Sequence, residues 1–255
     1  VFSFKKSKIL VYVLVFDQYD IIKQSLDFLT SFSDRLDIVV IENPSPSSPK
    51  IGRLIESYGK SGLIKRYYFF DKNITGYAFA LVLDKERDTV NRYKLTMLTD
   101  GDLTTKDVGW LDEEISILDK NPDVYACGVS LDKSNLPLEA FPEAKDWVPP
   151  DISIQDDYYE GRTGAHMLLL SSTDLLDFLD FQQERKVPFV DSSMHYYCYN
   201  ELHKKWARTK NSTVYHLTWD LYKDPNHPYT KLKTQKSHED TWYHQETSNY
   251  KFKEY

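Results

Sequence analysis

Apolar positions in the first hundred residues fall into two alternating spacings. Ile9 to Phe16, Leu36 to Ile41, Leu63 to Phe70 and Leu95 to Thr99 are short runs rich in β-branched and aromatic residues. Such runs, bounded by turn residues, predict strands, and continuous ones predict strands buried on both faces. Between the first two runs, Ile21, Ile22, Leu26, Phe28, Leu29 and Phe32 recur at near-helical spacing. Further helices are predicted over Ile51 to Tyr58, stopped by Gly59 to Gly62, and over Tyr77 to Asp88. Proline and serine at 44–49 make the segment before the second helix a loop.

Strand and helix therefore alternate, which implies βαβ units and a parallel sheet. Ligands of such sheets bind beyond the carboxyl ends of the strands. Phe16-Asp17, Glu42-Asn43, Asp71 to Gly76 and Asp100-Gly101-Asp102 all lie at such ends. Four polar turns are thus expected along one edge.

The second half has a looser pattern. A helix is predicted over Trp110 to Lys120 and a strand over Val124 to Leu131. Asp132 to Asp157, with several prolines, reads as a long loop or flap. Gly161 to Ser171 starts with glycines and becomes a strand. Asp174 to Phe181 is a predicted helix with Thr173 as its cap, Ser192 to Trp206 another, and Val214 to Leu217 a short strand. The tail after Tyr222, rich in Lys, His, Tyr and Trp, shows no period.

Composition narrows the class. The 255 residues are 41% apolar and 28% charged, which is globular rather than disordered. The net charge of −7 and the lack of a basic stripe interleaved with aromatics argue against a nucleic-acid partner. Cys127 and Cys198 form no zinc spacing and no disulfide framework, which suits a reducing, cytoplasmic setting. Ile9 to Phe16 is too short to span a bilayer. Peripheral membrane contact through the basic tail is left open.

The most chemical stretch is Asp100-Gly101-Asp102. Two carboxylates held this close repel unless a cation sits between them. Mn²⁺ or Mg²⁺ suits oxygen ligands and needs few protein carboxylates when phosphates supply the rest. Gly101, lacking a Cβ, permits a sharp bend or close approach to a ligand. Asp and Gly are also ordinary residues of a solvated turn.

Placed in order, these features resemble the nucleotide-sugar-dependent glycosyltransferases of the GT-A fold, most like the inverting, family-2 type. VYVLVF with its polar turn resembles the first strand and nucleotide loop, and IVVIENPSPS the second strand. Asn73-Ile-Thr-Gly76 before Ala78 and Ala80 resembles the Asn-x-Gly-x-x-x-Ala signature, and LTDGDL the Asp-x-Asp motif. The resemblance implies an α/β fold with a mixed, mainly parallel central sheet flanked by helices. Residues 1–103 would form the nucleotide-sugar-binding half, 104–222 the acceptor-binding and catalytic half, and 223–255 a C-terminal extension. It implies a UDP-, GDP- or dTDP-sugar as donor and a glycan, glycolipid or glycoprotein hydroxyl as acceptor.

Residue by residue, the resemblance implies that Asp100 and Asp102 hold Mn²⁺ or Mg²⁺, with Asp100 also near the ribose and His216 as a third contact. Phe16, Asp17, Glu42, Asn73 and Gly76 would bind the nucleoside diphosphate, with Tyr19 as another stacking candidate. Asp191 would be the general base, although Val190 stands where the family usually has a second acid, and an Asp before a helix also serves as a cap. Asp156, Asp157 and Glu160 are alternatives for the base. Arg162 is a phosphate candidate. Trp110, Trp147 and the Trp219-Asp220 pair are candidates for an acceptor wall. A sugar nucleotidyltransferase would open with a glycine-rich loop and an arginine where this chain has Asp17 to Asp20. A retaining transferase and a non-catalytic binding domain of the same fold stay open.

Overall fold

The structure, a computed structural model, describes residues 8–238 and 248–255. Lys5, Lys6 and the stretch 239–247 of the aromatic tail lie outside the described residues. The first half follows the predicted alternation: β1 (Ile9–Val15), α1 (Tyr19–Thr30), β2 (Leu36–Glu42), α2 (Ser48–Lys60), β3 (Ile64–Phe70), α3 (Tyr77–Lys85), α4 (Arg87–Val90) and β4 (Leu95–Asp100). The second half comprises β5 (Leu103–Thr104), α5 (Trp110–Lys120), β6 (Val124–Leu131), β7 (Ser153–Ile154), β8 (Tyr158–Glu160), β9 (Leu168–Ser171), α6 (Ser172–Arg185), α7 (Asp191–Tyr196), β10 (Lys205–His216), α8 (Trp219–Tyr222), α9 (Pro228–His238) and β11 (Tyr250–Glu254).

One mixed sheet runs β11-β3-β2-β1-β4-β9-β6-β10-β8-β7, with β5 pairing β10 off that path. Its β3-β2-β1-β4 stretch is parallel, with Val11 opposite Ile38 and Met97. Along β1, Leu10 and Tyr12 join the core beneath α3, α6 and α7, while Val11, Val13 and Val15 join the core beneath α1, α2 and α5. Burial on both faces is why these strands read as unbroken apolar runs rather than alternating ones. The fold class is as expected, a mixed, mainly parallel sheet flanked by helices. No helix among the described residues is long and apolar enough to cross a membrane.

Several boundaries differ from expectation for local reasons. The α2 helix starts at Ser48, because a proline in its first turn has a φ already suited to a helix and no N–H to leave unpaired. The cap of α6 is Ser171, not Thr173; its hydroxyl accepts from the Asp174 N–H at 3.5 Å. The helix expected over Ser192 to Trp206 stops at Tyr196, passes through a π turn at Tyr197–Glu201, and yields to β10. His203 turns the chain there with φ 52°. Trp206 and Ala207, fully buried, belong to the sheet. The 132–157 loop is anchored by Phe141 and Trp147, whose rings pack against Tyr222. From the tail come α9 and β11, the latter antiparallel to β3.

Candidate functional site

The carboxyl ends of β1 to β4 open into a cleft of about 840 Å³. Each of the four turns contributes: Phe16 and Asp17, Asn43, Asn73 with Thr75 and Gly76, and Asp100 to Asp102. Asp191 and His216 reach the same cleft from the second half, as do Trp147 and Trp219. Tyr229, Lys233 and Thr234 of α9 close one side.

The turn after β4 is held from both directions. Gly101 N–H donates to the Leu14 carbonyl at 2.8 Å. A Cβ on Gly101 would lie 2.5 Å from Val15 Cγ1 and 3.0 Å from the Leu14 oxygen. The glycine is therefore needed for close packing on β1, a reason the sequence reading placed instead in a bend or a ligand. On the other side, the Leu217 N–H donates to the Asp102 carbonyl at 2.8 Å, and Leu103 pairs with His216. This short ladder sets Asp102 beside His216.

Thr218, absent from the sequence reading, ties the two together. Its hydroxyl donates to Asp102 Oδ2 at 2.6 Å and lies 3.1 Å from His216 Nδ1. A hydroxyl has one proton to give, so Nδ1 must carry the proton in the second contact, leaving the Nε2 lone pair uncommitted to Thr218. Burial lowers the His216 pKa, opposed by the Asp102 carboxylate, so the ring is neutral near pH 7. The 3.5 Å approach of Asp102 to His216 is then a polar contact, not an ion pair. Trp219 stacks on the imidazole at 4.8 Å, with 5° between the ring planes. His166, 5.9 Å from His216 between ring centroids, is pulled down to about 3 by burial and by His216.

Asp102 Oδ1 is buried and has no hydrogen-bond partner among the described residues. Burial, with Asp102 adjacent, raises the pKa of Asp100 well above the usual carboxylate range. Carboxylate oxygens, one of them unpartnered, and a neutral imidazole nitrogen are donors of the chemical kind that a divalent cation such as Mn²⁺ accepts. No group of three or more His, Cys, Asp or Glu able to hold a metal occurs among the described residues. A cation here would have to draw its remaining ligands from outside the protein.

The opposite wall carries unusual backbone. Asp17, Gln18 and Thr75 all adopt positive φ, at 56°, 55° and 54°. Non-glycine residues in this region cost energy, and such strain gathers at ligand sites. Side chains hold it in place. Asp17 accepts from Ser47 Oγ at 2.6 Å and Gln18 Nε2 at 2.9 Å. Asn43 Oδ1 accepts from the Ile74 N–H, and its Nδ2 donates to the Thr75 carbonyl, both at 3.1 Å.

Asp191 begins α7, and the cap position is Val190, in extended conformation. Its side chain therefore does not cap the helix. It lies 3.8 Å from Arg162 Nε and remains 43% exposed.

Other candidates are not brought to the cleft. Glu42 is fully buried and accepts from the Tyr67 hydroxyl; its pKa is raised by burial despite hydrogen bonds from Ser48 and Tyr67. Asn43, one residue on, stands in the cleft in its place. Glu160 accepts from Ser153 and Tyr199, and Asp157 from Asn121. Asp156, Tyr19 and Asp220 are not among the residues lining the cleft, and Trp110 is fully buried in the core.

No family model matches the chain. Protein L142 of Acanthamoeba polyphaga mimivirus is 44% identical over 235 residues, covering 89% of this chain and 47% of that protein. Protein L137 of the same virus is 41% identical over 232 residues, covering 89% and 31%. The chain thus spans about half or less of the length of the curated relatives it matches. Among solved structures, the mannosyltransferase PcManGT of Pyrobaculum calidifontis, in complex with GDP-Man and Mn²⁺, aligns with a TM-score of 0.55. It is 14% identical, and the alignment covers 91% of this chain and 61% of that one. GalNAc-T7, crystallised with UDP, GalNAc and Mn²⁺, gives 0.54 at 10% identity, covering 84% and 44%. The fold is GT-A-like. It is related to that of diverse glycosyltransferases, and at these identities the likeness concerns the fold alone.

Proposed function

We propose that this chain is a metal-dependent glycosyltransferase domain that moves a sugar from a nucleoside-diphosphate donor to a carbohydrate-bearing hydroxyl acceptor, with inversion. The observation that carries this reading is the meeting of four strand-end turns with Asp100, Asp102, Asp191 and His216 in one cleft. The two solved structures of similar fold hold Mn²⁺ with GDP-Man or with UDP and GalNAc. In this reading Asp100 and Asp102 hold Mn²⁺ or Mg²⁺, with neutral His216 as a further contact. When bound, the cation stabilises negative charge on the departing nucleoside diphosphate. Thr218 keeps Asp102 oriented through its hydroxyl. Asp17, Asn43, Asn73 and Gly76 bound the space for the nucleoside, with Phe16 at its edge. Asp191, with neither carboxylate oxygen spent on a cap, takes the proton of the attacking acceptor hydroxyl. Trp147, in the wall of the cleft, offers an apolar surface to the acceptor sugar, with Trp219 packed behind it.

The test incubates the protein with UDP-, GDP- and dTDP-sugars and Mn²⁺ and measures nucleoside diphosphate release, alongside thermal stability. A ligand that binds only the folded state raises the melting temperature by mass action. The reading expects a metal-dependent rise with one nucleoside diphosphate that Asp102→Ala abolishes. No rise with any of the three, with or without Mn²⁺, would overturn it.

A further inference from the structure

The charge balance of the cleft is unfavourable for the donor just proposed. Asp17, Asp100, Asp102, Glu143 and Asp191 all line it, Asp191 with Arg162 Nε 3.8 Å away. Among the described residues lining the cleft, Lys233 is the sole lysine or arginine. It comes from α9, a helix of weak amphipathic character in a tail that shows no period. Its ammonium lies 5.8 Å from the centroid of the Phe16 ring and 5.7 Å from that of Tyr229. Those two aromatic faces favour a cation held between them. Lys233 lines the same cleft as Asp100 and Asp102.

A single bound divalent cation does not neutralise a nucleoside diphosphate together with two carboxylates. A lysine that shares the cleft with that carboxylate pair and sits over the Phe16 ring at the turn of β1 is suited, as a point charge, to meet a phosphate oxygen. We propose that Lys233 is a contact for the diphosphate of the donor, so that α9 completes the donor site from outside the strand-helix core. This inference rests on the nucleoside-diphosphate reading above.

The proposal predicts effects of opposite sign on two ligands. Removing the lysine charge takes away a phosphate contact and weakens diphosphate binding. The same change removes a positive charge that repels an incoming cation, so Mn²⁺ alone binds more tightly. A residue that only supported folding would weaken both. The experiment is isothermal titration of wild type, Lys233→Met and Lys233→Arg with UDP, GDP and dTDP in the presence of Mg²⁺, with the matching nucleosides, and with Mn²⁺ alone.

For the diphosphate that wild type binds, Lys233→Met should lose about 10- to 100-fold in affinity, the range of a hydrogen bond to a charged group. Nucleoside affinity should hold, Mn²⁺ affinity should rise, and Lys233→Arg should restore most of the diphosphate affinity. Unchanged diphosphate binding in Lys233→Met overturns the inference and leaves the donor reading standing, as does equal weakening for diphosphate and nucleoside. No diphosphate binding by wild type overturns both. Lys233→Gln, which keeps a polar end, serves as the second variant if Lys233→Met does not fold.

Discussion

Thr218 Oγ1 donates to Asp102 Oδ2 at 2.6 Å, and this one bond leaves Oδ1 as the buried oxygen without a partner among the described residues. Orienting groups behind metal ligands typically contribute 10- to 100-fold to metal affinity. Thr218→Val keeps the shape and removes the hydroxyl. It should weaken Mn²⁺ binding by about that factor, measured by titration calorimetry, while Asp100 and Asp102 remain in place. Unaltered Mn²⁺ affinity would show that Asp102 needs no such support.

Asp191 sits at the first position of α7 with its side chain outside the cap, so its two possible roles separate experimentally. Removing a general base typically costs about 10² to 10⁴ in rate. Asp191→Asn should therefore lower the transfer rate by about that much while nucleoside diphosphate affinity and melting temperature stay close to wild type. Turnover at the wild-type rate would remove Asp191 from the chemistry. Anomeric NMR of the product then decides between inversion and retention.

How much of this was legible in the sequence follows from what each element depends on. β1, β2 and β4 were readable because burial on both faces writes an unbroken apolar run. Their turns were readable as one edge because parallel connection fixes where strand ends go. Glu42 and Asn43 illustrate the limit: alternation along a strand sends one side chain under the 45–48 loop and the next into the cleft, and a difference of one residue in where β2 ends reverses the assignment. The helix predicted over Ser192 to Trp206 overran because no glycine or proline in 197–206 marks the turn that the chain makes at His203. Lys233 left no signal at all, since α9 has scarcely any apolar stripe and is held by contacts with α8, among them the Thr230 hydroxyl on the Leu221 carbonyl and Tyr229 on Tyr222.

Glu114 gives the fold a pH dependence of its own. It is fully buried, and neither carboxylate oxygen has a partner among the described residues. Burial, with Glu113 adding repulsion, raises its pKa well above 4.5. An acid whose folded pKa is raised binds more protons in the native state, so stability is highest below the unfolded pKa and falls as pH rises toward the folded one. Each unit of displacement is worth about 1.4 kcal/mol. Glu114→Gln should therefore raise the melting temperature at pH 7 and change it little at pH 4. An equal effect at both values would mean that the carboxylate is neutralised by a contact in the native state.

Gly101 and Gly109 offer a matched pair for the last test. A Cβ on Gly101 meets Val15 Cγ1 at 2.5 Å and the Leu14 oxygen at 3.0 Å, and one of those contacts is backbone that cannot swing aside. A Cβ on Gly109, which precedes α5, meets nothing within 4 Å. Overpacking of this kind costs about 1–3 kcal/mol. Replacing a glycine whose conformation an alanine tolerates usually stabilises by about 0.4–1 kcal/mol, because the unfolded chain loses freedom. Gly109 has φ −91°, which alanine accepts. Gly109 is also the N-cap of α5, where alanine is disfavoured against glycine by a similar amount, so denaturant unfolding should show Gly101→Ala clearly less stable than wild type and Gly109→Ala close to it. Because the shift at Gly101 would move the Asp100–Asp102 turn away from β1, the same variant should also lose the Mn²⁺-dependent rise in melting temperature that Gly109→Ala keeps. A Gly101→Ala protein that retained that rise would separate the packing of this turn from its use as a cation site.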